Sequence, residues 1–241
     1  MLHISDIQTK EIFFFDEAYR KECFDFCNKR NIDFLPSLYD SNEIWHKVGD
    51  GFKSTIITEK AKINGNTKAF DEKIVEAFRE NNLLFVYLGS ELTGVLHFSD
   101  YNTHIANVYL FGILSQYEKM LKEYLRKHGV TNKAIIDFSG NSQYRSKKFQ
   151  EKINKFQELQ CLYLIDIINF TNDSKIANIQ LNNIDVIELR NMIMHAHELV
   201  DKKNFDDDNL IFDFISFEIF FNRVIILNRD FLRLKNRMNF F

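Results

Sequence analysis

Three residue types that can act on a phosphate ester lie within one short run of the chain. Arg190, Asn191 and His195 stand in the run LRNMIMH at 189–195. A histidine, with an ordinary pKa of about 6.5, takes up or releases a proton near neutral pH. An arginine offers a planar positive charge to a phosphate, and an asparagine orients either group. Residues of these types could together serve the attack of an RNA 2′-hydroxyl on its neighbouring phosphate, a reaction that requires no metal.

The spacing of apolar residues predicts that this run lies on a helix from Asp185 to Asp201. Asp185 and Glu188 have the spacing of a capping pair at the helix start. On an ideal helix His195 lies opposite the apolar stripe, Asn191 lies one turn earlier on the same outward face, and Arg190 lies at the border. The stripe that must face the core consists of Val186, Leu189, Ile193, Ala196 and Val200.

The position of His195 excludes a packing role but leaves two interpretations. A core histidine would lie on the apolar stripe, and His195 does not. On pattern alone, a solvated histidine beside a routine arginine explains the run better, because short motifs match by chance. One helix is also a poor site, since Arg190 and His195 point about 140° apart. Two such helices meeting across a twofold axis would bring both residue types into one cleft.

Composition and charge restrict the class of protein. The chain has 241 residues, 45% of them hydrophobic and 27% charged, with a net charge of −3. These values are typical of a globular protein and argue against a general nucleic-acid coat protein, so RNA contact requires a local basic patch. Cys23 and Cys27 are predicted to be buried thiols. The run 206–208, three aspartates, is better explained as a solvated loop than as a metal site.

The chain is expected to be cytoplasmic and not to enter a membrane. No secretory signal opens it, and the most apolar stretch, Leu210 to Leu227, carries charges that would be costly in lipid. That stretch is therefore predicted to be a buried or dimer-facing helix. Its phenylalanines are candidates for a dimer surface or, equally, for the core.

The first hundred residues predict an internal repeat of helix, strand, turn and strand. Neither copy can cover its own sheet face, so the copies should pack together. Pro36 should place the first strand at a sheet edge. The predicted elements are a helix at 16–29 and strands at 32–39 and 43–48, then a helix at 71–81 and strands at 83–88 and 92–98.

Three segments of this half resemble tandem CBS domains, which are paired sensor modules. They are 4–9, an opening segment, 30–36, a helix end and strand, and 94–100, a closing segment. The resemblance covers residues 1–105 and implies an adenine nucleotide between the repeats, with Asp100 on the ribose hydroxyls. His97 stands where the family commonly has threonine, and 45–50 departs from the pattern. An N-cap for the following helix is the alternative role for Asp100.

The remainder, residues 106–241, is predicted to be all-helical. Its first helix, 107–127, carries apolar residues from Val108 and Phe111 onward and should end at His128-Gly129. In this setting the run at 189–195 resembles the Arg-Asn-x-x-x-His signature of HEPN domains. That resemblance implies a helical, dimeric ribonuclease domain with Arg190, Asn191 and His195 at its composite site. The whole chain is thus expected to be an α+β protein.

The two resemblances together imply a metal-independent endoribonuclease, gated by nucleotide binding to the N-terminal half. RNA is the expected substrate, a homodimer the expected assembly, and an adenine nucleotide or nucleotide second messenger the expected regulatory ligand, with no cofactor required. A bacterial defence or stress effector, including a toxin, would fit this design. The alternatives are a non-catalytic regulator that dimerises or binds a partner, and a toxin component that a partner protein holds silent.

Overall fold

The computed structural model describes residues 1–140, 164–173, 179–195, 211 and 213–238. The chain divides into two compact units, Met1–Asn107 with Leu210–Glu218, and Val108–Asn209 with Ile219–Phe241. It mixes helix and sheet, which confirms the α+β class in its coarse form. The helices are α1 (Ile4–Ile7), α2 (Arg20–Arg30), α3 (Glu72–Glu80), α4 (His104–Lys127), α5 (Asn132–Gly140), α6 (Leu164–Asp173), α7 (Ile184–His195) and α8 (Phe214–Met238). The strands are β1 (Phe34–Pro36), β2 (Glu43–Val48), β3 (Gly51–Ile56), β4 (Lys62–Asn64), β5 (Leu83–Leu88) and β6 (Glu91–His97).

The first sheet of unit 1 has the order β1-β2-β3 and is antiparallel. β1 lies at its edge, as Pro36 predicted, because a proline donates no hydrogen bond to a further strand. β3 was not predicted. Its residues are mostly exposed and lack apolar alternation, so the sequence carries no strand signal there. Gly49, at φ 56°, makes the turn that sends the chain back into β3.

The second sheet has the order β4-β5-β6, with β4 parallel to β5 and β5 antiparallel to β6. The predicted strands β5 and β6 are confirmed, and β5 is buried over most of its length. The short strand β4 was missed. A three-residue strand is too brief for period-two alternation to be recognised.

The predicted repeat is present, with an additional parallel segment in each copy. Phe15 pairs in parallel with Ser37, next to β1, as β4 pairs with β5. Each copy therefore runs extended segment, helix, parallel strand, antiparallel strand. The predicted packing of the copies is also confirmed: the rings of Phe34 and Phe85 lie 5.8 Å apart, and the hydroxyl of Tyr87 donates to the carbonyl of Ser41.

The small core of the first copy contains both predicted thiols. Cys23 and Cys27 lie on α2, are fully buried and form no disulfide. They pack with Phe15 and Leu35, so they act as small apolar side chains. Burial raises the pKa of the Cys27 thiol, which keeps it protonated and unreactive.

A segment remote in sequence completes unit 1. The ring of Phe217, in the first turn of α8, lies 5.1 Å from that of Phe78 and 5.0 Å from that of Tyr101. The side-chain amide of Asn102 donates to the carbonyl of Ile211 and accepts from its N–H, at 2.6 and 3.0 Å. The sequence did not predict that 211–218 belongs with the N-terminal half, because this association depends on contacts more than a hundred residues apart.

Unit 2 is helical in its described residues. α4 ends at Lys127, two residues before Gly129 (φ 74°), and the N–H of Val130 donates to the carbonyl of Leu125, so the predicted helix end is confirmed. Its apolar stripe begins differently from the prediction. Val108 and Phe111 are 52% and 50% exposed, whereas Leu110 is buried. The stripe is therefore offset at its N-terminal end.

The final helix begins at Phe214, later than the predicted Leu210. The sequence left open whether its phenylalanines form a dimer surface or part of the core. Phe217, Phe220 and Phe221 are buried within the single chain, which confirms the core role and leaves them unavailable to a dimer surface. Among the described helices, none combines the length and the apolar character that crossing a bilayer requires.

Candidate active site

The motif helix is α7, and its buried face is the predicted one. Val186, Leu189 and Ile193 are almost fully buried. Ala196 and Val200, the other predicted members of the stripe, lie outside the described residues. The apolar stripe therefore fixes the rotation of the helix about its axis, and with it the direction of the motif residues.

The two motif side chains that the structure describes lie together on the outer part of α7. Arg190 is half-buried, Asn191 is exposed, and Nη1 of Arg190 donates to Oδ1 of Asn191 at 3.3 Å. His195 is the last residue of α7 that the structure describes, and its side chain lies outside the described residues. The backbone places His195 one helical turn after Asn191.

The predicted capping pair is wrong. α7 begins at Ile184, so Asp185 lies inside the first turn rather than before it. The side chain of Asn182 caps the helix instead: its Oδ1 accepts from the N–H of Asp185 at 3.0 Å, and its Nδ2 donates to Asp185 Oδ2 at 2.8 Å. Glu188 is directed to a different partner, an arginine of α8.

That arginine, Arg223, was not predicted as part of the site. Its Nη2 donates to the carboxylate of Glu188, its Nε lies 3.9 Å from Oδ1 of Asp185, and its Nη1 lies 3.2 Å from Sδ of Met192. The side chain is 20% exposed. The sequence contained one signal, since an arginine within an apolar helix requires a partner when it is partly buried.

A buried carboxylate holds the start of the motif helix. Asp230 of α8 is 2% exposed, and its Oδ2 accepts from the N–H of Asn182 at 2.7 Å. Burial raises the pKa of Asp230, while that hydrogen bond and the charges of Arg233 and Arg229 oppose the shift. Together with Arg223, this contact fixes α7 antiparallel to α8 within unit 2.

The charge of Arg190 contrasts with that of Arg223. Within the part of the chain that the structure describes, Arg190 makes no ion pair, and Asn191 is its hydrogen-bond partner. The carboxylates of Asp185 and Glu188, on the same helix, are held by Arg223. Among the described residues, no acid therefore offsets the positive charge of Arg190, and its partly solvated position suits it to an anionic ligand.

Asp100, the predicted nucleotide-binding residue of unit 1, accepts two hydrogen bonds. The hydroxyl of Thr9 donates to Oδ1 at 3.2 Å, and the N–H of His97 donates to Oδ2 at 2.8 Å. The alternative N-cap role is corrected, because His97 is the N-cap of the short helix Phe98–Asn102 and Asp100 completes the capping box. Burial raises the pKa of Asp100 and lowers that of His97.

The opening and closing segments of unit 1 lie side by side at Asp100. Thr9 and Val95 exchange backbone hydrogen bonds at 2.9 and 3.1 Å. Gln8 crosses β6 at Gly94, where a methyl group would lie 2.6 Å from Cδ of Gln8 and 2.8 Å from the carbonyl oxygen of Thr9. Only a glycine allows this approach without displacement.

No cluster of histidine, cysteine and acidic side chains able to hold a metal occurs among the described residues. The aspartates at 206–208 lie outside them. His197, next to the motif, does so as well.

Comparisons of the chain with protein-family models, with curated proteins and with solved structures found no match.

Proposed function

We propose that this protein is a metal-independent endoribonuclease whose active site is formed by Arg190, Asn191 and His195 of two subunits. The observation that supports it most is the difference between Arg190 and the acidic residues of the same helix, α7. Arg190, hydrogen-bonded to Asn191, retains its charge, while the neighbouring acids are held by Arg223. A helix used only for packing has no need to direct its acids to one arginine while a second arginine has no ion pair within the described part of the chain.

Each motif residue has one role in the proposed reaction. His195 removes the proton from the attacking 2′-hydroxyl or returns one to the departing 5′-oxygen. Arg190 stabilises the negative charge that gathers on the phosphorane oxygens, and Asn191 keeps the guanidinium in place. Because Arg190 and His195 diverge on one helix, the complete site is assembled from two copies of α7 across a twofold axis.

The proposed regulation lies in unit 1. An adenine nucleotide would bind where the opening and closing segments meet, with its ribose hydroxyls donating to the free lone pairs of Asp100. The hydroxyl of Thr9 donates to that carboxylate. A ribose hydroxyl would either replace this hydrogen bond or add a second one beside it. The ligand would change cleavage only if its affinity differs between an active and an inactive arrangement.

A non-catalytic regulator is the second candidate. The exposed side chains of Val108 and Phe111, on the N-terminal part of α4, favour it. Large apolar side chains in solvent are typical of surfaces that bind another protein. In that case Arg190 and His195 would contribute to the contact rather than to chemistry.

Cleavage of labelled RNA by the purified protein, with a chelator present, tests the enzyme proposal. We expect products that end in a 2′,3′-cyclic phosphate, and loss of cleavage in His195→Ala with the oligomeric state retained. His46→Ala, a histidine of β2 in unit 1, is the matched control and should cleave normally. Equal cleavage by wild type and His195→Ala would contradict the proposal.

Thermal denaturation with adenine nucleotides tests the regulatory proposal. Binding raises the midpoint of unfolding by an amount that grows with the logarithm of ligand concentration over Kd. Asp100→Asn will also weaken the capping box, so the comparison is between ligand-induced shifts and not absolute midpoints. We expect a shift in wild type and none in Asp100→Asn. No shift in wild type with any adenine nucleotide would contradict nucleotide sensing and leave the nuclease proposal intact.

A further inference from the structure

The part of α8 that belongs to unit 2 is strongly basic, and its exposed cations lie after Arg223. From Ile219 to Met238 the helix contains five cationic residues, Arg223, Arg229, Arg233, Lys235 and Arg237. Its one acidic residue in that range is Asp230, which is buried. This concentration of positive charge stands in a chain whose net charge is −3.

Three of these arginines form one line. Arg229, Arg233 and Arg237 are spaced i, i+4, i+8, so they lie on one face of α8 with about 6 Å between successive positions along the axis. All three are exposed, Arg233 to 56% of its side chain. Arg233 also lies 3.5 Å from Oδ1 of Asp230. These three residues are called the arginine stripe below.

Contacts within the helix explain only part of the arginine stripe. The charges of Arg233 and Arg229 favour the ionised form of buried Asp230, and Arg237 lies in the last turn, where a cation offsets the helix dipole. One buried carboxylate cannot neutralise three exposed guanidinium groups, and like charges at i, i+4 repel each other. Most of the positive charge of the arginine stripe therefore faces solvent, where an external anion can bind it.

The shape of the arginine stripe favours a linear polyanion. Three guanidinium groups spread over about 12 Å cannot converge on one phosphate, but they can contact successive groups of a chain. The charge of Arg237 opposes the effect of burial on the pKa of Tyr124, near the end of α4. Arg126 and Lys127, which follow Tyr124 in α4, are exposed as well.

The arginine stripe lies beside the motif helix. Asp230 contacts Asn182 just before α7, and Arg223 contacts Glu188 further along it. Arg233 is ten positions after Arg223, about 15 Å along the axis of α8. RNA held on the arginine stripe would therefore lie near the segment that precedes α7.

We propose that the arginine stripe of α8 is a second RNA-binding surface, which holds the phosphate backbone of single-stranded RNA away from the scissile bond. This inference rests on the proposed function, because that function supplies RNA as the polyanion. The surface binds without base preference. It raises the affinity for long RNA and contributes nothing to a dinucleotide, which is too short to reach it.

Binding of labelled 2′-O-methyl RNA of about 20 nucleotides to the full-length protein tests this inference. The methyl groups block cleavage, so binding is measured whether or not the protein is a nuclease. The variant is the triple substitution Arg229→Gln, Arg233→Gln and Arg237→Gln. The control, Lys21→Gln, Lys53→Gln and Lys73→Gln, removes three exposed charges from unit 1. Circular dichroism and thermal midpoints establish that both variants remain folded.

We expect the arginine variant to bind at least about tenfold more weakly at low salt. The slope of log affinity against log salt concentration should become shallower by about 2, as expected for three lost phosphate contacts on a single strand. The control should bind as wild type does. Equal binding by the arginine variant, equal weakening in both variants, or binding of an acidic peptide but not of RNA would each overturn the inference.

Cleavage separates this inference from the proposed function. With cleavable substrates, the arginine variant should lose kcat/KM for long RNA by about the same factor and cut a dinucleotide at the wild-type rate. If the wild type binds RNA through the arginine stripe but cuts nothing, the nuclease proposal fails and the binding surface stands. If the arginine variant binds and cuts long RNA as wild type does, the binding surface fails and the nuclease proposal stands.

Discussion

Arg190 and Arg223 lie in the same unit and near the same helix, yet their surroundings differ. Arg223 is mostly buried, and Glu188 and Asp185 hold its charge. Arg190 is half-buried and makes no ion pair among the described residues. Arg223 holds α7 against α8, whereas the proposed function assigns the charge of Arg190 to an anionic ligand. Residue type alone does not separate these roles, but the partners of each guanidinium do.

The largest effect on activity should come from removing the charge of Arg190. Arg190→Gln is expected to lower RNA cleavage about a hundredfold or more, because the phosphorane loses its positive partner. The free energy of unfolding should change little, since the side chain makes no ion pair in the described part of the chain. Single-turnover cleavage and urea denaturation measure the two quantities. Arg30→Gln, an exposed arginine of unit 1, should leave both unchanged.

Removing the charge of Arg223 should instead change mainly the stability of the protein. Arg223→Gln is expected to lower the free energy of unfolding by about 1–3 kcal/mol, because two carboxylates lose their partner. The value is below that of a fully buried pair, since Glu188 is 47% exposed and remains partly solvated. Urea denaturation measures the loss. Lys119→Gln, an exposed residue of α4, should change stability by less than about 0.5 kcal/mol. Equal losses in both variants would remove the distinction between the two arginines.

Two glycines also differ in their surroundings: other atoms fill the space beside Gly94, whereas the space beside Gly112 is empty. Gly94→Ala is expected to destabilise the protein by about 1–3 kcal/mol, because the methyl group would overlap Gln8 and Thr9. Gly112→Ala, inside α4 with no atom within 4 Å of the new methyl group, should stabilise it by about 0.5–1 kcal/mol. Thermal denaturation of the two variants should therefore give shifts of opposite sign.

Two aspartates should give the smallest and most specific effect, a change in pH dependence. Burial raises the pKa of Asp230, so the folded protein binds that proton more tightly than the unfolded chain does. Its contribution is most favourable at or below the ordinary aspartate value, near pH 4, and is lost as pH rises through the raised pKa. Hydrogen bonds from Ser216 lower the pKa of Asp213, whose contribution is present above the ordinary value and lost as pH falls.

Asp230→Asn and Asp213→Asn should therefore change the profile of thermal midpoint against pH in opposite directions. Relative to wild type, the Asp230 variant should become more stable as pH rises from about 4 towards neutral. The Asp213 variant should lose its relative disadvantage as pH falls below about 4. Parallel profiles for wild type and both variants would contradict the assigned surroundings of the two carboxylates.

The sequence predicted what local periodicity determines. The buried stripe of α7, the end of α4 before Gly129 and the edge position of β1 follow from patterns within a few residues, and the repeat in unit 1 follows from the recurrence of such local patterns. It missed what depends on distant partners. Arg223 takes its role from Glu188, 35 positions earlier, and Phe217 takes its place from Phe78 and Tyr101. β3 was missed because an exposed polar edge strand has no apolar alternation.

For the site, the sequence supplied residue types and the direction of Arg190 and Asn191, and the structure supplied the partners that separate the two arginines. Its expectation for the cap of α7 failed because the helix begins one residue before Asp185, so the cap moved to Asn182. The capping box at His97 likewise required the backbone geometry of the closing segment. The types of the site residues could thus be predicted from the sequence, whereas the residues that contact them could not.

A site shared by two subunits predicts that two inactive variants can complement each other, which a site within one subunit does not. Arg190→Gln and His195→Ala should each be inactive, but a co-expressed heterodimer of the two retains one Arg190 and one His195 on opposite subunits. With a chelator present, its RNA-cleavage rate should exceed that of either parent by about tenfold or more. A heterodimer that cleaves no faster than its better parent would contradict the shared site.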